Sequence, residues 1–516
     1  MAETIDLFVP LADLDAPLAP QVERALGWSA GTAGELRVVR RSLDARKGRP
    51  LGQRLRVAVA RRGEALEAAT PARARLRWPA GRPAPRVVVI GAGPAGTWAA
   101  LRLAEAGVPV TILEQGKQVQ PRRRDLALIT RGELTPSSNY CFGEGGAGTY
   151  SDGKLYARAK DRAGVAEVIA DLVRFGAPPE IEIEARPHVG SNRLPRVLAA
   201  LREHLAGLGV VHRFETAASG LDVGAGRVRA VRVDGGEIAA DVVVLAVGHS
   251  ARAVVGWAAE AGLAVVRKPI AVGVRLEHPQ PLIDRLQYGA AAGHPRLPPA
   301  FYELTASAGA RGVYSFCMCP GGWIVPAATE PDGVVVNGMS LSRRDSPFAN
   351  AGLVVAVGAE DFGPAAAGPL AGIAFQRQIE QAAFRAGGGR FRAPAQRLGD
   401  FLAGRTGDSL GPSSYRPGLA PADLASVLPP FVVEGLRVGL RQIGARLPAF
   451  LWPEALLIAA ETRTSAPVRF LRDPTTLVSP SIAGLYPCGE GAGYAGGIVS
   501  AALDGARVAE RILALA

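Results

Sequence analysis

Two short runs near the N-terminus alternate apolar and charged positions. Residues 35–41 and 53–60 place apolar side chains at about every second position, with arginine between them. Successive side chains of a strand point to opposite faces, so this pattern predicts two half-buried β-strands. A short helix is predicted ahead of them, at residues 20–27. Residues 70–85 are rich in proline and arginine, so a linker is predicted there and a small α+β domain ends near residue 84.

A continuous apolar run begins after this linker. Residues 86–90 are apolar and β-branched, a glycine-rich turn follows, and helical spacing extends from Trp98 to Ala106. Residues 108–114 supply the second strand of a β-α-β unit, and residues 241–247 predict a further buried parallel strand. This order predicts an α/β fold with a Rossmann-like sheet.

The pattern changes again beyond residue 270, where shorter alternating strands are separated by proline-rich breaks. Strands are predicted at residues 270–276, 334–339 and 353–357, and a helix at 368–385. We therefore expect a mixed or antiparallel second domain that holds the substrate. Residues 484–516 return to a strand, a glycine-rich turn and a helix. The predicted division is 1–84 for the small basic domain, 85–269 for the first part of the α/β domain, 270–470 for the second domain and 471–516 for the closing segment of the α/β domain.

Positive charge is concentrated in the small first domain. The 516-residue chain carries a formal net charge of +12. Between Leu36 and Arg86, 15 lysines and arginines stand against three acidic residues, an excess equal to the net charge of the whole chain. Such a face is typical of a solvated surface or of one that meets an anionic partner. Trp78 is the only aromatic residue there, so the stacking platforms of nucleic-acid binders are missing and the pattern disfavours nucleic acid as a partner.

Several other classes of protein are disfavoured by the sequence. No uninterrupted apolar run of about 18 residues occurs, and the N-terminus lacks a signal-peptide pattern, so we expect a cytoplasmic protein without a membrane partner. Four cysteines with no CxxC pair do not form a disulfide framework. His188, His249 and His278 lack the spacing of zinc ligands, so no metal site is expected.

The glycine-rich turn at residues 91–96 carries the first chemical motif, GxGxxG. Gly91 permits the tight turn, Gly93 lets a pyrophosphate approach the backbone, and Gly96 lets the following helix pack closely on the strand. The helix N-terminus then points its positive end at the phosphates. Glu114 ends the second strand, where a carboxylate accepts hydrogen bonds from ribose hydroxyls. Together these features predict a dinucleotide site.

Two later segments indicate which dinucleotide is bound. The strand at residues 240–248 ends in Gly248, a backbone against which a cofactor can lie. The segment 484–498 contains a strand, Glu490 and a glycine cradle that ends at Gly497 and Ile498. Glu490 is expected to bind ribitol or phosphate-side hydroxyls, and the next helix to face the flavin edge where negative charge collects on reduction. A Rossmann domain for NAD alone does not need this distant element, so the sequence predicts FAD.

A third glycine-rich segment lies between these two. Residues 139–154 contain five glycines together with aromatic and hydroxyl side chains. This density fits a loop that wraps an anion or a flat ring, and the alternative is a flexible surface loop. Gly145, Gly146 and Gly148 are the candidate cofactor contacts. Asp152, Tyr150 and Tyr494 are candidate proton donors or flavin contacts, and their positions do not choose between these roles.

Six segments of the chain match a known family: residues 38–46, 142–154, 268–279, 316–322, 461–465 and 486–497. They resemble the bacterial FAD-dependent dehydrogenases of unassigned substrate, also described as NAD(FAD)-utilising dehydrogenases. The resemblance implies a ferredoxin-like N-terminal domain, a glutathione-reductase-type FAD domain split in sequence, and a family-specific C-terminal domain. It also implies a basic residue that supports the adenosine-phosphate half of FAD. Arg122 is the candidate, and a solvated arginine run is the alternative.

These features predict an FAD-dependent oxidoreductase. Non-covalently bound FAD would exchange a hydride with a small organic substrate held between the FAD domain and the second domain. Only one GxGxxG occurs, so NAD(P)H would dock transiently at the flavin, or electrons would come from a protein carrier. Two alternatives remain open, namely a flavoprotein that mainly binds RNA or another polyanion through its basic domain, and a flavin monooxygenase.

Cys317 and Cys319 are the one closely spaced cysteine pair. On a regular strand both thiols would point into one space, with Cα atoms roughly 6.5–7 Å apart, at the upper edge of disulfide geometry. An easily reduced bridge suits a dithiol that exchanges electrons with a flavin, so the pair is the catalytic candidate. The alternatives are pocket-lining side chains, a metal ligand or a nucleophile.

Overall fold

The computed structural model describes residues 3–66, 75–157 and 159–514. Its N-terminal part contains β1 (Glu3–Pro10), α1 (Leu18–Leu26), β2 (Ala33–Asp44) and β3 (Gly52–Arg61). The three strands form an antiparallel sheet in the order β1-β3-β2. The predicted helix and two strands are confirmed, and β1 is an additional edge strand. A ferredoxin-like fold has a second helix and a fourth strand, and the described residues of this part contain neither.

The first part of the α/β region follows. Its elements are β4 (Val87–Ile90), α2 (Pro94–Glu105), β5 (Val110–Leu113), α3 (Val119–Ile129), α4 (Arg162–Arg174), α5 (Leu194–Gly207), β6 (Val211–Arg213), β7 (Ala218–Gly224), β8 (Arg227–Val233), β9 (Gly236–Ala239), β10 (Val242–Leu245) and α6 (Arg252–Glu260).

The remaining elements belong to the second sheet region and to the closing segment. They are β11 (Val265–Arg267), β12 (Ile270–Pro279), α7 (Gln280–Tyr288), β13 (Thr305–Ala308), β14 (Arg311–Cys319), β15 (Trp323–Pro326), β16 (Val336–Met339), β17 (Phe348–Val357), α8 (Ala371–Ala386), β18 (Ala393–Arg397), α9 (Leu398–Ala403), β19 (Leu419–Pro421), α10 (Pro430–Arg446), β20 (Leu456–Glu461), β21 (Val468–Phe470), β22 (Leu485–Pro487) and α11 (Ile498–Ala514).

A parallel five-stranded sheet forms the centre of the α/β region, in the order β22-β10-β4-β5-β6. On β4, Val87 and Val89 pack in the core that contains α2 and α11. Val88 and Ile90 face the opposite core, formed with β7, β8, β9 and α6. The sheet is therefore buried on both faces, which explains the continuous apolar runs. Because β22 lies beside β10, the α/β fold is split in sequence, and the mixed α/β class is confirmed.

A seven-stranded sheet forms the second region, in the order β13-β14-β17-β12-β20-β18-β19. Its pairs are antiparallel except β18 with β19, which agrees with the predicted mixed or antiparallel sheet. Helix α10 packs against β13, β14 and β17, where Gly439 lets it lie close to Val313. The ladder between β14 and β17 is irregular between Phe316 and Cys319, which marks a β-bulge.

The N-terminal sheet is docked on both other regions. The Arg41 N–H donates to the carbonyl of Ile183 at 2.7 Å, and the Arg41 guanidinium pairs with Glu184 at 2.6 Å. Leu43, Ala45 and Leu51 pack against the core of the second sheet. The division of the chain into separate domains stays a prediction.

The predicted linker lies partly outside the described residues. Residues 75–86, which are described, contain no helix or strand, but they are tied to the end of α2. The Trp78 N–H donates to the carbonyl of Ala106 at 3.0 Å, and Arg75 pairs with Glu105. Across the ranges that the structure describes, none of the helices has the length and apolar character needed to cross a membrane.

Candidate active site

A cavity of about 1230 Å³ opens between the parallel sheet and the second sheet. Pockets for drug-sized ligands usually measure roughly 300–1,000 Å³, so this one has room for a larger molecule. It lies at the carboxyl ends of parallel strands, where α/β proteins usually bind ligands. Twelve of the predicted site residues line it: Gly91, Gly93, Glu114, Gly146, Gly148, Asp152, Gly248, Cys317, Glu490, Tyr494, Gly497 and Ile498.

The three glycines of the GxGxxG turn occupy three different environments. Gly91 has a φ of +107°, and a Cβ atom there would lie 2.4 Å from the Ala246 carbonyl oxygen. A Cβ atom on Gly96 would lie 2.0 Å from the Gly91 oxygen, so this position lets α2 pack closely. At Gly93 the nearest heavy atom would be 3.9 Å away, across open cavity. The open space above Gly93, at the N-terminus of α2, fits a pyrophosphate.

Glu114 ties three segments of the site together. Its buried carboxylate accepts main-chain N–H groups from Ala92 at 3.0 Å, Gly116 at 2.9 Å and Gly143 at 3.0 Å. Ala92 belongs to the glycine turn and Gly143 to the loop at residues 139–154. The carboxylate at the cavity wall is therefore held in one position, as a ribose-binding group must be.

Arg122 is not where the resemblance predicted, and its assignment as a cofactor contact is corrected. The side chain is fully buried behind the loop at residues 139–154 and does not line the cavity. Its guanidinium donates to main-chain carbonyls of that loop, those of Asn139, Tyr140, Glu144 and Gly146, at 2.8–3.1 Å. With its donors directed at these carbonyls, Arg122 supports the loop from behind.

Gly145 and Tyr150 also lie on the inner side of this loop. The Gly145 N–H donates to the Ala92 carbonyl at 2.8 Å, and a Cβ atom at Gly145 would lie 2.2 Å from the Thr149 hydroxyl oxygen. The Tyr150 hydroxyl donates to the Val119 carbonyl at 2.7 Å. Neither residue lines the cavity, so Gly145 and Tyr150 shape the loop without facing a ligand.

The closing segment completes the cavity from the other side. A Cβ atom on Gly148 would lie 2.9 Å from Ile498 Cγ1, so the loop at residues 139–154 packs against the start of α11. Gly497 has a φ of +120° where the chain enters this helix. Burial raises the pKa of Glu490 to about 7. Tyr494 also lines the cavity, but its hydroxyl donates to the Phe470 carbonyl at 2.8 Å.

The cysteine pair lies in the β-bulge of β14. Cys317 has a φ of +45°, is half-buried and lines the cavity, whereas Cys319 is fully buried beside it. The expectation of a regular strand is wrong, because a β-bulge interrupts the alternation here. The two thiols nevertheless converge on one cation, since Lys154 Nζ lies 3.8 Å from Cys317 Sγ and 3.7 Å from Cys319 Sγ.

Arg275 holds this bulge from within the second sheet, and the sequence analysis missed it. The fully buried guanidinium pairs with Glu461 at 2.9 Å, and donates to the Cys317 carbonyl at 2.6 Å and to Cys319 Sγ at 3.6 Å. A fourth contact reaches Asn350 Oδ1 at 3.0 Å. The available signal was the one charged side chain in the otherwise apolar run of residues 270–276.

Lys154, likewise missed as a site residue, pairs with an acidic neighbour that a second cation also contacts. Asp152 lies 3.5 Å from Lys154 Nζ and 3.0 Å from the Arg344 guanidinium. Burial alone would raise the pKa of Asp152, but Lys154 and Arg344 outweigh it and hold that pKa below its usual range. Asp152 is therefore ionised at neutral pH and is unsuited to be a proton donor. Burial acts to lower the pKa of Lys154, but the two cysteines and Asp152 raise it overall, so Lys154 stays charged.

Metal-ligating side chains do not cluster in the part of the chain that the structure describes. Within residues 3–66, 75–157 and 159–514, no group of three or more histidine, cysteine, aspartate or glutamate side chains is arranged to hold a metal ion.

Comparisons with known proteins give two family matches and one close relative. Residues 269–464 match the family model "FAD-dependent protein, C-terminal domain-like", and residues 85–127 match "Pyridine nucleotide-disulphide oxidoreductase". An uncharacterized protein from Clostridium beijerinckii is 43% identical over 433 residues, which cover 83% of this chain and 80% of that protein.

Two solved structures illustrate the more distant likenesses. CtdE in complex with FAD is 13% identical, with 83% of this chain and 84% of that chain covered and a TM-score of 0.33. Glycine oxidase from Geobacillus kaustophilus is 13% identical, with 84% and 94% covered and a TM-score of 0.35. These scores are too low to support an argument about function.

Proposed function

The chain belongs to a family of FAD-dependent proteins, and we propose that it is an oxidoreductase that holds FAD non-covalently and passes a hydride between FAD and a small organic substrate. NAD(P)H is the proposed transient donor. The observation that carries the proposal is the set of segments that line the cavity. The cavity is lined at once by the glycine turn, by Glu114, by the closing segment and by polar side chains of the second sheet region.

The residues present fit FAD at several points. The turn around Gly93 would hold the pyrophosphate, Glu114 the adenosine ribose and Glu490 the ribitol hydroxyls. The N-terminus of α11, at Ile498, would place the positive end of its dipole at the flavin edge. When bound, FAD supplies the hydride chemistry, and the protein supplies orientation and electrostatics.

A small polar substrate would lie against the wall contributed by the second sheet region. Phe316, Cys317, Asn337, Arg463 and Thr464 line this wall. The orientation of the Arg463 side chain is fixed by the ion pair of its guanidinium with buried Glu380 at 2.9 Å. A fixed guanidinium and an amide can position a polar group of the substrate, and the cavity supplies the space beside the cofactor.

The proposal is tested on the purified full-length protein. Acid precipitation should release intact FAD, and anaerobic addition of NADH or NADPH should bleach the flavin absorption. Reoxidation by air should then be slow and should produce peroxide without a hydroxylated product. A protein that is purified without flavin and does not bind added FAD would contradict the proposal. Oxygen consumption that requires an organic substrate and yields a hydroxylated product would instead identify a monooxygenase.

A further inference from the structure

The two cysteines of the β-bulge differ in their exposure to the cavity. Cys317 faces the cavity and is partly accessible, whereas Cys319 is fully buried beside it. Both sulfurs lie within 3.8 Å of Lys154 Nζ, and the Cys319 thiol donates to the Cys317 carbonyl at 3.4 Å. An accessible thiol with a second, buried thiol beside it is the arrangement that thiol–disulfide exchange needs, because one sulfur attacks and the other resolves.

The charges around the pair favour an ionised Cys317. The charged groups that act on it are two cations, Lys154 and Arg275, and three acids, Asp152, Glu461 and Glu490. The neighbouring Cys319 thiol and then the two cations lower the pKa of Cys317 well below its usual value, although burial opposes them. The neighbouring Cys317, together with burial, raises the pKa of Cys319. The accessible sulfur is therefore the nucleophile, and the buried one keeps its proton.

We propose that Cys317 and Cys319 form a redox-active dithiol that reduces a small disulfide bound in the cavity. The Cys317 thiolate attacks one sulfur of the substrate disulfide, which forms a mixed disulfide and releases the first thiolate. That thiolate takes the proton of Cys319. The Cys319 sulfur then attacks Cys317 Sγ, which closes the Cys317–Cys319 disulfide and releases the second thiolate, protonated by solvent. The pair loses two electrons and the substrate becomes two thiols.

The structure also supplies groups that stabilise the charges of this exchange. Lys154 Nζ lies within 3.8 Å of both sulfurs, so the same cation faces the attacking and the resolving thiolate. Arg275 fixes the bulge through the Cys317 carbonyl. The return of the oxidised pair to the dithiol needs a two-electron donor. For this step alone the inference rests on the proposed function, in which FAD reduced by NAD(P)H is that donor.

The first experiment does not depend on turnover of the flavin. The full-length protein is reduced, freed of reductant under anaerobic conditions and mixed with hydroxyethyl disulfide, an uncharged small probe. We expect two equivalents of mercaptoethanol per protein, together with a Cys317–Cys319 link in peptide maps that dithiothreitol reverses. Cys141, which lines the same cavity, and buried Cys488 are internal controls and should remain unlinked.

Single substitutions separate the two roles. In Cys319→Ser the reaction should stop at a stable mixed disulfide on Cys317, with one equivalent released. In Cys317→Ser no mixed disulfide should form and no mercaptoethanol should be released. Lys154→Met should slow the attack at pH 7 by about tenfold, and Lys154→Arg should restore most of the rate. Flavin content and circular dichroism of each variant show whether it has folded.

Two results would overturn the dithiol assignment. One is a folded wild-type protein that forms no Cys317–Cys319 link, and the other is identical behaviour of the two serine variants. The proposed function fails in a different way, because the link would then form normally but NADH and NADPH would not reduce it through the flavin. The two failures are therefore distinguishable in one set of samples.

Discussion

Gly93 occupies the open side of its turn, so its missing side chain leaves open space in the cavity. Its Cβ would have the cavity in front of it, with the nearest heavy atom at 3.9 Å. Gly93→Val should therefore leave the fold intact and abolish FAD binding, since the side chain would stand in the place of the pyrophosphate. The measurement is FAD per protein after purification. Gly207→Val is the matched control, because that glycine is exposed and has open space around it. A folded Gly93→Val protein with stoichiometric FAD would contradict the assignment.

Glu490 gives the flavin-free protein a defined pH dependence. Its pKa of about 7 in the folded state lies above the usual value of 4.5. Folding therefore favours the protonated form, and stability from this group is lost as the pH rises from 4.5 through 7. Glu490→Gln should raise the free energy of unfolding of the flavin-free protein by about 2 kcal/mol at pH 8 and by little at pH 4.5.

Urea unfolding of wild type and variant at these two pH values checks this prediction. An equal difference between the two proteins at both pH values would show that Glu490 does not titrate in this range.

At the scale of residues, the sequence predicted those cavity-lining positions whose chemistry and neighbours along the chain are distinctive. The glycine turn and Glu114 are of this kind. Arg122 was misplaced because three adjacent arginines have the same chemistry, and only tertiary packing shows that this one points inward. Arg275 and Lys154 were missed because their importance comes from partners distant in sequence, such as Glu461 and the two cysteines.

Helices α2 and α11 pack so closely that small side chains are required between them. A Cβ atom on Gly505 of α11 would lie 1.9 Å from the Ala95 carbonyl oxygen of α2. Gly505→Ala should therefore lower the free energy of unfolding by about 1–3 kcal/mol, as overpacking usually does, and weaken FAD binding by shifting the start of α11. Urea unfolding and FAD titration measure both effects.

The control for Gly505 lies in another helix. Gly256 of α6 has no heavy atom within 4 Å of its Cβ position. Gly256→Ala should stabilise the protein by about 0.5–1 kcal/mol, because alanine has the higher helix propensity. If both substitutions had the same effect, the close contact between α2 and α11 would not be the cause.

At the scale of elements, the strands and helices around the two glycine turns were predicted, whereas α4, α5, α10 and the local irregularities were not. The strand and helix from Val87 to Glu105 follow from a buried apolar run and a helical period. The bulge between Phe316 and Cys319 depends on how β14 pairs with β17, which the β14 sequence does not specify. Strand β1 was missed because it is half-exposed and stabilised by pairing with β3.

At the scale of the molecule, the basic N-terminal sheet lies outside the cavity but contacts both other regions. None of its described residues lines the cavity. A chain that begins near Arg82 should therefore still bind FAD. Its free energy of unfolding should be lower by about 2–4 kcal/mol, because Leu43, Ala45 and Leu51 would no longer cover the core of the second sheet.

FAD stoichiometry and urea unfolding of the truncated and full-length chains check this prediction. A truncated chain that is soluble but free of flavin would contradict it, and would show that the docking of Arg41 at Glu184 helps to shape the cavity. RNA binding is measured on the same two proteins. The positive charge of the sheet is partly neutralised, since Asp44 pairs with Arg46 and Arg54, so we expect no binding at physiological salt. Binding by the full chain alone would favour a polyanion-binding role for this sheet.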